Sequence, residues 1–384
     1  MKKILKLNSI SKLANEYFEN YEYSDTAENP DGIMLRSFKM HDYEVGSNLL
    51  AVARAGAGVN NIPIPQMTEK GIVVFNTPGA NANAVKELVI CALLLGSRKI
   101  YEGINWAQGL DKAEDVAKLV EKGKSQFVGG EITGKTLGVL GLGAIGAKVA
   151  NTAIALGMNV VGYDPFISVA GALRLDSKVG YEKEMEGVFK KADYVTIHMP
   201  FTPDTKGVIN KETISQMKDG VVIVNCARGE LVNNDDVKEG LLSGKIAKYV
   251  TDFPVADLLG VEGVITIPHL GASTAEAEDN CAVMAAKQLT DYIENGAIVN
   301  SVNFPAVSLP VNYTHRITVI HKNVPNMIAL ATAPVANAGI NIANMVSASR
   351  GDIGYLVMDV DSEPSAELIA KLAQTDGFIK VRAL

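Results

Sequence analysis

The stretch TLGVLGLGAIGAKVANTAIALGMNVVGYDP, residues 136–165, decides the fold class of this sequence. Its first apolar run leads into a glycine-rich turn, an alanine-rich helical segment follows, and a second apolar run ends at Asp164. This succession of strand, turn, helix and strand predicts the βαβ unit of an open parallel sheet. The turn reads Gly141-Leu142-Gly143-Ala144-Ile145-Gly146, a GxGxxG pattern in the strand-to-helix context that the pattern requires.

Each glycine of this turn has a physical role in holding a dinucleotide. Gly141 permits the tight turn, Gly143 leaves room for a pyrophosphate, and Gly146 lets helix and strand pack closely. The helix N-terminus then offers free N–H groups to the phosphates. Asp164 follows at the spacing of about 20 residues expected for a ribose-binding acid, which repels a 2′-phosphate. We therefore predict NAD rather than NADP, against the alternative of a glycine turn and a capping Asp without a ligand.

Similar strand and helix signals extend in both directions from this stretch. Apolar runs in residues 32–37 and 71–80 end in turn-prone residues, and the same rhythm recurs in residues 193–200 and 220–229. The rhythm predicts an α/β protein with doubly wound parallel sheets. From residue 315 onward the order changes to strand, helix, strand, strand, helix, strand, which predicts a ferredoxin-like βαββαβ unit.

Composition argues against several classes of function. The formal net charge of -7 is unfavourable for a general nucleic-acid surface, and 47% hydrophobic residues allow a substantial core. The cysteines, Cys91, Cys226 and Cys281, are scattered, so neither a disulfide framework nor a metal cluster is predicted. No apolar run is long enough for a signal peptide or a membrane span. We expect a cytoplasmic protein with no membrane partner, no nucleic-acid partner and no metal.

Three polar residues follow predicted strands near the glycine turn. They are Arg228, Asp252 and His269, and ligands of open α/β sheets collect at such carboxyl ends. Oxidation of a 2-hydroxy acid needs a base for the hydroxyl proton, which suits His269, and a cation for the carboxylate, which suits Arg228. The alternatives are a solvated surface arginine and an ordinary turn histidine. His198 is interpreted as a residue that shapes the nicotinamide pocket.

Five segments together resemble a known family. They are NCARGE (225–230), PHLGAST (268–274), MPFTPDTKGVIN (199–210), RAGAGVNNI (54–62) and LRSFK (35–39). They are similar to segments of the D-2-hydroxyacid dehydrogenase family, and within it to the members that oxidise 3-phosphoglycerate. The resemblance implies the following cofactor-binding residues: Gly141, Gly143, Ala144, Ile145, Gly146, Asp164, Met199, Pro200, Thr205, Cys226, Ala227, Arg228, Asp252, His269, Gly271 and Ala272.

The sequence departs from the family pattern at one catalytic position. The family reads D-V-F-x-x-E-P, and its Glu pairs with the catalytic histidine, whereas this chain has Asp257 at that place. Aspartate keeps the charge but is one methylene shorter. The resemblance therefore implies Arg228, Asp257 and His269 as the catalytic residues, with a solvated loop acid as the alternative for Asp257.

The resemblance also implies how the chain is divided into domains. A discontinuous, flavodoxin-like substrate-binding domain would comprise residues 1–95 and 281–305, and an NAD-binding Rossmann domain residues 96–280. A linker at 306–314 would lead to an ACT-like regulatory domain at 315–384. The active site is expected in the cleft between the substrate-binding and NAD-binding domains.

A small phosphorylated 2-hydroxy acid is the predicted substrate. It carries charge at both ends, so it needs cations beyond Arg228. Arg36 and Arg54 would supply them, and Ser37 and the backbone of Gly56, Ala57 and Gly58 would add hydrogen bonds. The alternative is that Arg36 and Arg54 only pair with acids.

The C-terminal segment resembles an amino-acid-sensing module. Residues 321–326, HKNVPN, are similar to the family's H-x-N-x-P-G loop, and residues 339–344, GINIAN, to its partner strand. The resemblance implies that His321, Asn323 and Asn341 bind L-serine as an effector and that the chain forms a homodimer or homotetramer. Asn326 stands in place of the glycine, and Asn tolerates left-handed backbone. A vestigial module that only assembles subunits is the alternative.

Two other functions compete with oxidation of 3-phosphoglycerate. One is that of a hydroxypyruvate or glyoxylate reductase, which would act on unphosphorylated acids. The other is a non-catalytic, NAD-sensing protein of the corepressor type, whose activity would not depend on His269. Preference for phosphorylated over plain hydroxy acids separates the first from the main prediction.

Overall fold

The structure is a computed structural model that describes residues 1–112, 115–310, 312 and 314–384. These residues form two compact units, Met1–Asn81 with Ala275–Leu384 and, separately, Ala82–Thr274. The predicted linker, 306–314, lies partly outside the described residues, at Val311 and Tyr313. No helix in the described part of the chain is long and apolar enough to cross a membrane.

Strands and helices are interspersed along the chain. The first are β1 Lys3–Leu7, β2 Glu22–Ser24, β3 Gly32–Leu35, β4 Ala51–Arg54, α1 Ile64–Glu69, β5 Val73–Phe75, α2 Ala82–Ser97, α3 Ile100–Gln108 and α4 Val116–Gly123. The next are β6 Thr136–Leu140, α5 Ala144–Ala155, β7 Asn159–Tyr163, α6 Val169–Ala172, β8 Gly180–Tyr181, α7 Met185–Lys191, β9 Tyr194–Ile197, α8 Lys211–Gln216, β10 Val221–Asn225, α9 Asn234–Leu242, β11 Ile246–Thr251 and β12 Val264–Thr266. The last are α10 Ala275–Asn295, β13 His315–Lys322, α11 Met327–Asn337, β14 Ile342–Arg350, β15 Ile353–Val360, α12 Ala366–Ala373 and β16 Phe378–Ala383.

A five-stranded parallel sheet organises the first unit. Its order is β2-β1-β3-β4-β5, which is the doubly wound order of flavodoxin-like folds. Every residue of β3 and of β5 is buried, as expected when both faces of a parallel sheet are covered. One face packs against α10, where Ala282, Ala285 and Leu289 join the core. The predicted parallel sheet is confirmed.

A seven-stranded parallel sheet organises the second unit. Its order is β12-β11-β10-β9-β6-β7-β8, so the strand order reverses beside β6, where the glycine turn begins. Strand β10 is buried along its whole length because helices cover both faces of the sheet. In such sheets ligands bind beyond the carboxyl ends of the strands at the reversal point. The fold therefore puts the predicted dinucleotide site where this topology favours one.

The two units begin and end at different residues from the predicted domains. Helix α2 belongs to the second unit, although the prediction places residues up to 95 in the substrate-binding domain. Val89 and Leu93 of this helix are fully buried in the same core as Val224 and Val250. Helix α10 begins at Ala275 and belongs entirely to the first unit. Burial of these helix faces, which local sequence does not reveal, sets both boundaries.

The C-terminal segment forms a four-stranded antiparallel sheet with two helices. Its elements follow the predicted βαββαβ order, and the strand order is β14-β15-β13-β16. One face carries Leu356 and Met358 against α11 and α12. On the other face Tyr355 and Val357 share a core with Tyr292 of α10. The segment therefore packs as part of the first unit rather than as a separate body, because its sheet is apolar on both faces.

Candidate active site and dinucleotide site

The glycine turn joins β6 to α5 and has the geometry that the sequence predicts. Gly141 has a left-handed φ of +92°, and a Cβ there would lie 2.8 Å from the backbone of His198. A Cβ at Gly146 would lie 1.9 Å from the carbonyl oxygen of Gly141. At Gly143, by contrast, a Cβ would have no heavy atom within 4 Å. The outer glycines are thus required by packing, whereas Gly143 borders open space at the start of α5, as a bound pyrophosphate would need.

Asp164 follows β7 and is anchored beside the glycine turn. Its Oδ2 accepts a hydrogen bond of 2.9 Å from the N–H of Leu142, and its Oδ1 accepts one of 2.9 Å from the N–H of Phe166. The cap of the following helix α6 is Ser168, so Asp164 does not serve as a helix cap. This arrangement fits the predicted ribose-binding acid better than the alternative of a capping Asp.

The other predicted cofactor residues also follow strands of this sheet. Thr205 Oγ1 donates a hydrogen bond of 2.7 Å to the carbonyl of Pro200, which holds the turn after β9. The remainder lie after four neighbouring strands: Met199 after β9; Cys226, Ala227 and Arg228 after β10; Asp252 after β11; and His269, Gly271 and Ala272 after β12. Parallel strands bring all of these residues to one edge.

Two buried polar atoms at this edge have no hydrogen-bond partner among the described residues. One is Nδ1 of His198, whose Nε2 lies 3.0 Å from Thr196 Oγ1. Burial lowers the pKa of His198 to about 3, so the ring is neutral at physiological pH. The other is Oδ1 of Asp252. Buried polar atoms are normally hydrogen-bonded, so two unpaired ones beside the open glycine turn fit a bound group with polar atoms of its own.

Arg228 is held by a buried asparagine at the end of β10. Asn225 is fully buried, and its Nδ2 donates a hydrogen bond of 2.9 Å to the carbonyl of Arg228. Its Oδ1 accepts one of 3.1 Å from the N–H of Ala227. The side chain of Arg228 itself is exposed. Asn225 therefore fixes the turn and leaves the guanidinium accessible, a role that was not predicted although the NCARGE motif contains the residue.

His269 follows β12 in a strained conformation. Its φ of +38° is left-handed, which is uncommon outside glycine. Its N–H is shared between the carbonyls of Asp252 and Ile267, each at 3.0 Å. The imidazole packs on the ring of Phe253, with centroids 4.8 Å apart. Strain of this kind concentrates at functional sites. Phe253, which was not among the predicted site residues, holds the ring from one side.

Asp252 is the carboxylate that the charges of Arg228 and His269 both influence. It is 1% exposed, and its Oδ2 accepts a hydrogen bond of 3.3 Å from the N–H of Gly271. Burial raises the pKa of Asp252, while the charge of His269, the Gly271 hydrogen bond and the charge of Arg228 act in the opposite direction. The structure therefore brings the predicted base and the predicted cation together around one buried acid.

Asp257 occupies a different environment. It is exposed on the short 3-10 turn Ala256–Leu258. The pKa of Lys238 is raised by a hydrogen bond with Asp235 and, to a smaller degree, by the charge of Asp257. No hydrogen bond or ion pair joins Asp257 to His269 in the described residues. Asp252 rather than Asp257 is thus the acid beside the histidine in this structure.

The predicted substrate cations are neighbours in the first unit. Arg54 Nε donates a hydrogen bond of 2.9 Å to the carbonyl of Arg36, and its Nη1 donates to the carbonyl of Gly58. Arg36 Nη2 lies 2.6 Å from Glu278 Oε1. The loop is further held by Thr77, whose N–H donates to the carbonyl of Gly56 at 3.1 Å. The structure brings the two arginines together, and Arg36 also pairs with an acid.

A second asparagine organises the loop after β3. Asn8 Oδ1 accepts hydrogen bonds from three successive N–H groups, at 3.3 Å from Arg36, 3.0 Å from Ser37 and 2.7 Å from Phe38. The backbone N–H of Ser37, a predicted substrate-binding residue, is therefore already engaged within the protein. Ala57, in the other predicted loop, accepts one of 2.6 Å from Asn76 Nδ2. No sequence motif pointed to Asn8.

The predicted effector residues lie in the C-terminal sheet and its loops. His321 is 4% exposed, with Nδ1 2.7 Å from the carbonyl of Lys322. Asn323 Nδ2 donates to the carbonyl of Gly351 at 2.9 Å, so its amide is engaged within the chain, and the side chain of Asn341 is exposed. Asn326 has a φ of +75°, as its substitution for glycine predicts.

Comparison with known proteins agrees with this geometry. Residues 92–271 match the family described as D-isomer specific 2-hydroxyacid dehydrogenase, NAD binding domain. The chain is 33% identical to the D-3-phosphoglycerate dehydrogenase of Haemophilus influenzae, over 89% of this chain and 82% of that protein. It is 35% identical to the hydroxypyruvate reductase of Thermotoga maritima, over 72% of this chain and 90% of that protein.

A solved structure is similar as well. The NAD+-bound 3-phosphoglycerate dehydrogenase of Entamoeba histolytica superposes with a TM-score of 0.60 and 26% identity, covering 79% of this chain and 98% of that one. The glycine turn, the residues at the sheet edge and these similarities agree with one another. The chain belongs to the D-isomer specific 2-hydroxyacid dehydrogenase family.

Proposed function

We propose that this chain oxidises the C2 hydroxyl of D-3-phosphoglycerate to the corresponding 2-oxo acid, a step that leads to L-serine. The observation that carries the proposal is the grouping of His269 and Arg228 around buried Asp252, on the sheet edge that bears the glycine turn. The family's NAD-binding domain covers this edge, and NAD is the cofactor. When bound, NAD takes up the C2 hydrogen together with its two electrons.

The side chains at this edge accept the proton, bind the substrate carboxylate and orient the base. His269 accepts the hydroxyl proton at a ring nitrogen, which is the general-base role that imidazole most often fills in enzymes. Arg228 holds the substrate carboxylate through its guanidinium N–H groups, since the side chain is exposed, and its Nη1 also donates a hydrogen bond of 2.7 Å to the carbonyl of Ala227. The environment of Asp252 supports it as the acid that orients His269, in preference to Asp257.

Residues of the first unit bind the phosphoryl group. Arg36 and Arg54 are adjacent, because the side chain of one is hydrogen-bonded to the backbone of the other. Two neighbouring guanidinium groups suit a dianionic phosphoryl group, whose three oxygens accept several hydrogen bonds at once. The turn at Gly56–Gly58 also fixes Arg54, because the Gly58 carbonyl accepts a hydrogen bond from its Nη1.

Steady-state kinetics with matched substrates test the proposal. We expect kcat/KM with NAD to be far higher for D-3-phosphoglycerate than for D-glycerate, and His269→Asn to abolish turnover. The matched control is His41→Asn, which makes the same chemical change at an exposed histidine and leaves turnover unchanged. Equal kcat/KM for the two acids would overturn the phosphoglycerate assignment. An unaffected His269→Asn variant would overturn the catalytic assignment and favour a corepressor-like protein.

Reduction of hydroxypyruvate is the second candidate function. The similarity to the Thermotoga maritima hydroxypyruvate reductase extends over 90% of that protein, at an identity comparable to that of the phosphoglycerate dehydrogenases. The same edge residues would serve it, because the chemistry at C2 is identical. Comparing hydroxypyruvate with 3-phosphohydroxypyruvate in the reverse reaction distinguishes the two functions.

We also propose that the C-terminal unit is an ACT-like module with L-serine as its effector. Support comes from its βαββαβ order and from the resemblance of its loop, while His321 is buried and Asn341 exposed. Inhibition by L-serine that is lost in Asn341→Ala would support the proposal. A module that only assembles subunits predicts no response to L-serine at any concentration tested.

A homodimer or homotetramer is the proposed assembly. Helices α3 and α4 have no buried residue, and they expose Ile104 and Val116. Exposed apolar side chains grouped on one segment favour an interface between subunits. Light scattering should give a mass of two or four chains, and Ile104→Asp should lower it. A monomer at micromolar concentration would contradict the assembly.

A further inference from the structure

An ion pair lies at the proposed phosphoryl site. Arg36 Nη2 is 2.6 Å from Oε1 of Glu278, and the two side chains are 42% and 45% exposed. Glu278 stands in the first turn of α10, a helix that packs against the parallel sheet of the same unit. An ion pair of this exposure is worth little in stability, about 0.2–1 kcal/mol, so an incoming anion can displace it.

Arg36 is paired with a residue of α10, and the charge of Arg54 also acts on this helix. Burial raises the pKa of Cys281, one turn beyond Glu278, whereas the charges of Arg36 and Arg54 lower it. The charge of Glu278 acts on the same thiol in the raising direction. The site therefore contains two cations and one resident carboxylate. Its formal charge is +1 with Glu278 and would be +2 without it.

We propose that Glu278 is a specificity-determining residue that sets how strongly this site prefers a phosphoryl dianion over an uncharged group. The inference rests on the function proposed above. When no substrate is bound, the Glu278 carboxylate is paired with Arg36. When a phosphoryl dianion displaces this carboxylate from Arg36, the negative charge of Glu278 stays nearby and repels the dianion. Glu278 thereby weakens binding of phosphorylated substrate and product while leaving unphosphorylated acids almost unaffected. The residue therefore lowers the affinity of the site for phosphate.

The favourable interaction of acidic residues with the helix dipole does not by itself explain why Glu278 is paired with Arg36. Acidic residues in the first turn of a helix are generally favourable, and Glu276 satisfies that preference equally well. Glu276 is exposed, and no ion pair joins it to Arg36 in the described residues. Glu276→Gln is therefore a matched control, because it removes the same charge from the same turn without touching the proposed site.

The experiment compares Glu278→Gln, Glu278→Asp and Glu276→Gln with the wild type. KM and kcat are measured for D-3-phosphoglycerate and for D-glycerate, and inorganic phosphate is used as a competing inhibitor. For Glu278→Gln we expect KM for the phosphorylated acid and Ki for inorganic phosphate to fall about three- to fivefold, the range that one exposed charge pair supplies. Kinetic constants for D-glycerate should stay within about twofold, and Glu278→Asp and Glu276→Gln should resemble the wild type.

A double variant ties the effect to Arg36. In an Arg36→Gln background, Glu278→Gln should lower KM less than in the wild type, because the carboxylate no longer competes for Arg36 and only its repulsion of the dianion remains. If Glu278 only holds Arg36 in place, Glu278→Gln will raise KM for the phosphorylated acid, and the inference fails. Equal shifts of KM and Ki in Glu276→Gln would also refute the inference about Glu278. Equal wild-type kcat/KM for the two acids refutes the proposed function instead, so the two failures are distinguishable.

Discussion

Arg316 Nε lies 2.6 Å from Asp359 Oδ1, in a buried ion pair across β13 and β15. The two side chains are 7% and 1% exposed. The guanidinium also donates to the carbonyl of Asn295 at the end of α10, at 2.7 Å, and to that of Pro310, at 2.9 Å. This arginine therefore fastens the C-terminal sheet to the last turn of the helix that carries Glu278.

Removal of one member of this pair should destabilise the protein strongly. Arg316→Met leaves the Asp359 carboxylate buried without its counter-ion, which costs about 3–5 kcal/mol of unfolding free energy. The double variant Arg316→Met/Asp359→Leu removes both charges and should recover much of the loss. Urea unfolding at pH 7 measures the unfolding free energy of the single and the double variant. A double variant no more stable than Arg316→Met would show that the hydrogen bonds to α10, and not the ion pair, carry the effect.

Stability should also depend on pH through Lys380. Its Nζ donates a hydrogen bond of 3.0 Å to the carbonyl of Leu49, and burial, with a smaller effect of Arg382, lowers its pKa from 10.5 to about 8. Between these values the unfolded chain binds more protons than the folded one, so stability rises with pH. From pH 7.5 to 9.5 the unfolding free energy of the wild type should rise by about 1–2 kcal/mol relative to that of Lys380→Met.

A matched lysine variant provides the control for this comparison. For Lys371→Met, at an exposed position of α12, the difference in unfolding free energy from the wild type should not change with pH. Urea unfolding at the two pH values is sufficient for all three proteins. If the difference between wild type and Lys380→Met stays constant across this range, the amine is not desolvated in the folded protein.

Two alanine substitutions should separate folding from cofactor binding at the glycine turn. Gly143 has an ordinary φ of -68°, and a Cβ there meets no protein atom, so Gly143→Ala should leave the melting temperature unchanged. It should nevertheless weaken NAD binding by about tenfold or more, because the methyl group enters the space of the pyrophosphate. In Gly146→Ala the new methyl group would collide with the Gly141 carbonyl, so both stability and NAD affinity should fall.

Calorimetry of NAD binding and thermal melting are the measurements. Gly130→Ala is the matched control, since its Cβ also meets no protein atom and it lies outside the turn. It should change neither quantity. A lower melting temperature for Gly143→Ala would show that the fold does not accommodate the methyl group, whereas unchanged NAD affinity would mean that the space beside Gly143 is not the phosphate site.

Local sequence patterns predicted the parallel sheets and the glycine turn for a clear reason. A strand that leads into GxGxxG and a helix is specified by residues adjacent in the chain, and the structure follows it from Thr136 to Tyr163. The βαββαβ order of the C-terminal segment was predicted from periodicity in the same way. The positions of Arg228 and His269 followed from the rule that functional residues lie at strand ends.

Features that depend on distant contacts could not be predicted. The second apolar face of β15 is recognisable only when Tyr355 is seen beside Tyr292 of α10. Asn8 acts on residues 36–38 and Phe253 on His269, and neither residue type signals that role by itself. The acid proposed to orient His269 shows the same limit. Counting along the family pattern led to Asp257, whereas burial beside the histidine distinguishes Asp252.

The two acids can be compared directly by the same substitution. Asp252→Asn removes the buried charge next to His269 and keeps the shape of the side chain, so kcat/KM should fall about 10- to 100-fold. The acid limb of the pH–rate profile for hydroxy-acid oxidation should move to lower pH, because a carboxylate favours the protonated imidazole and its loss does the opposite. Asp257→Asn, on its exposed turn, should stay within about twofold of wild type with an unshifted profile. Thermal melting of both variants separates this electrostatic effect from unfolding. If Asp257→Asn instead shifts the profile and Asp252→Asn does not, the family's pairing of its loop acid with the histidine also holds in this chain.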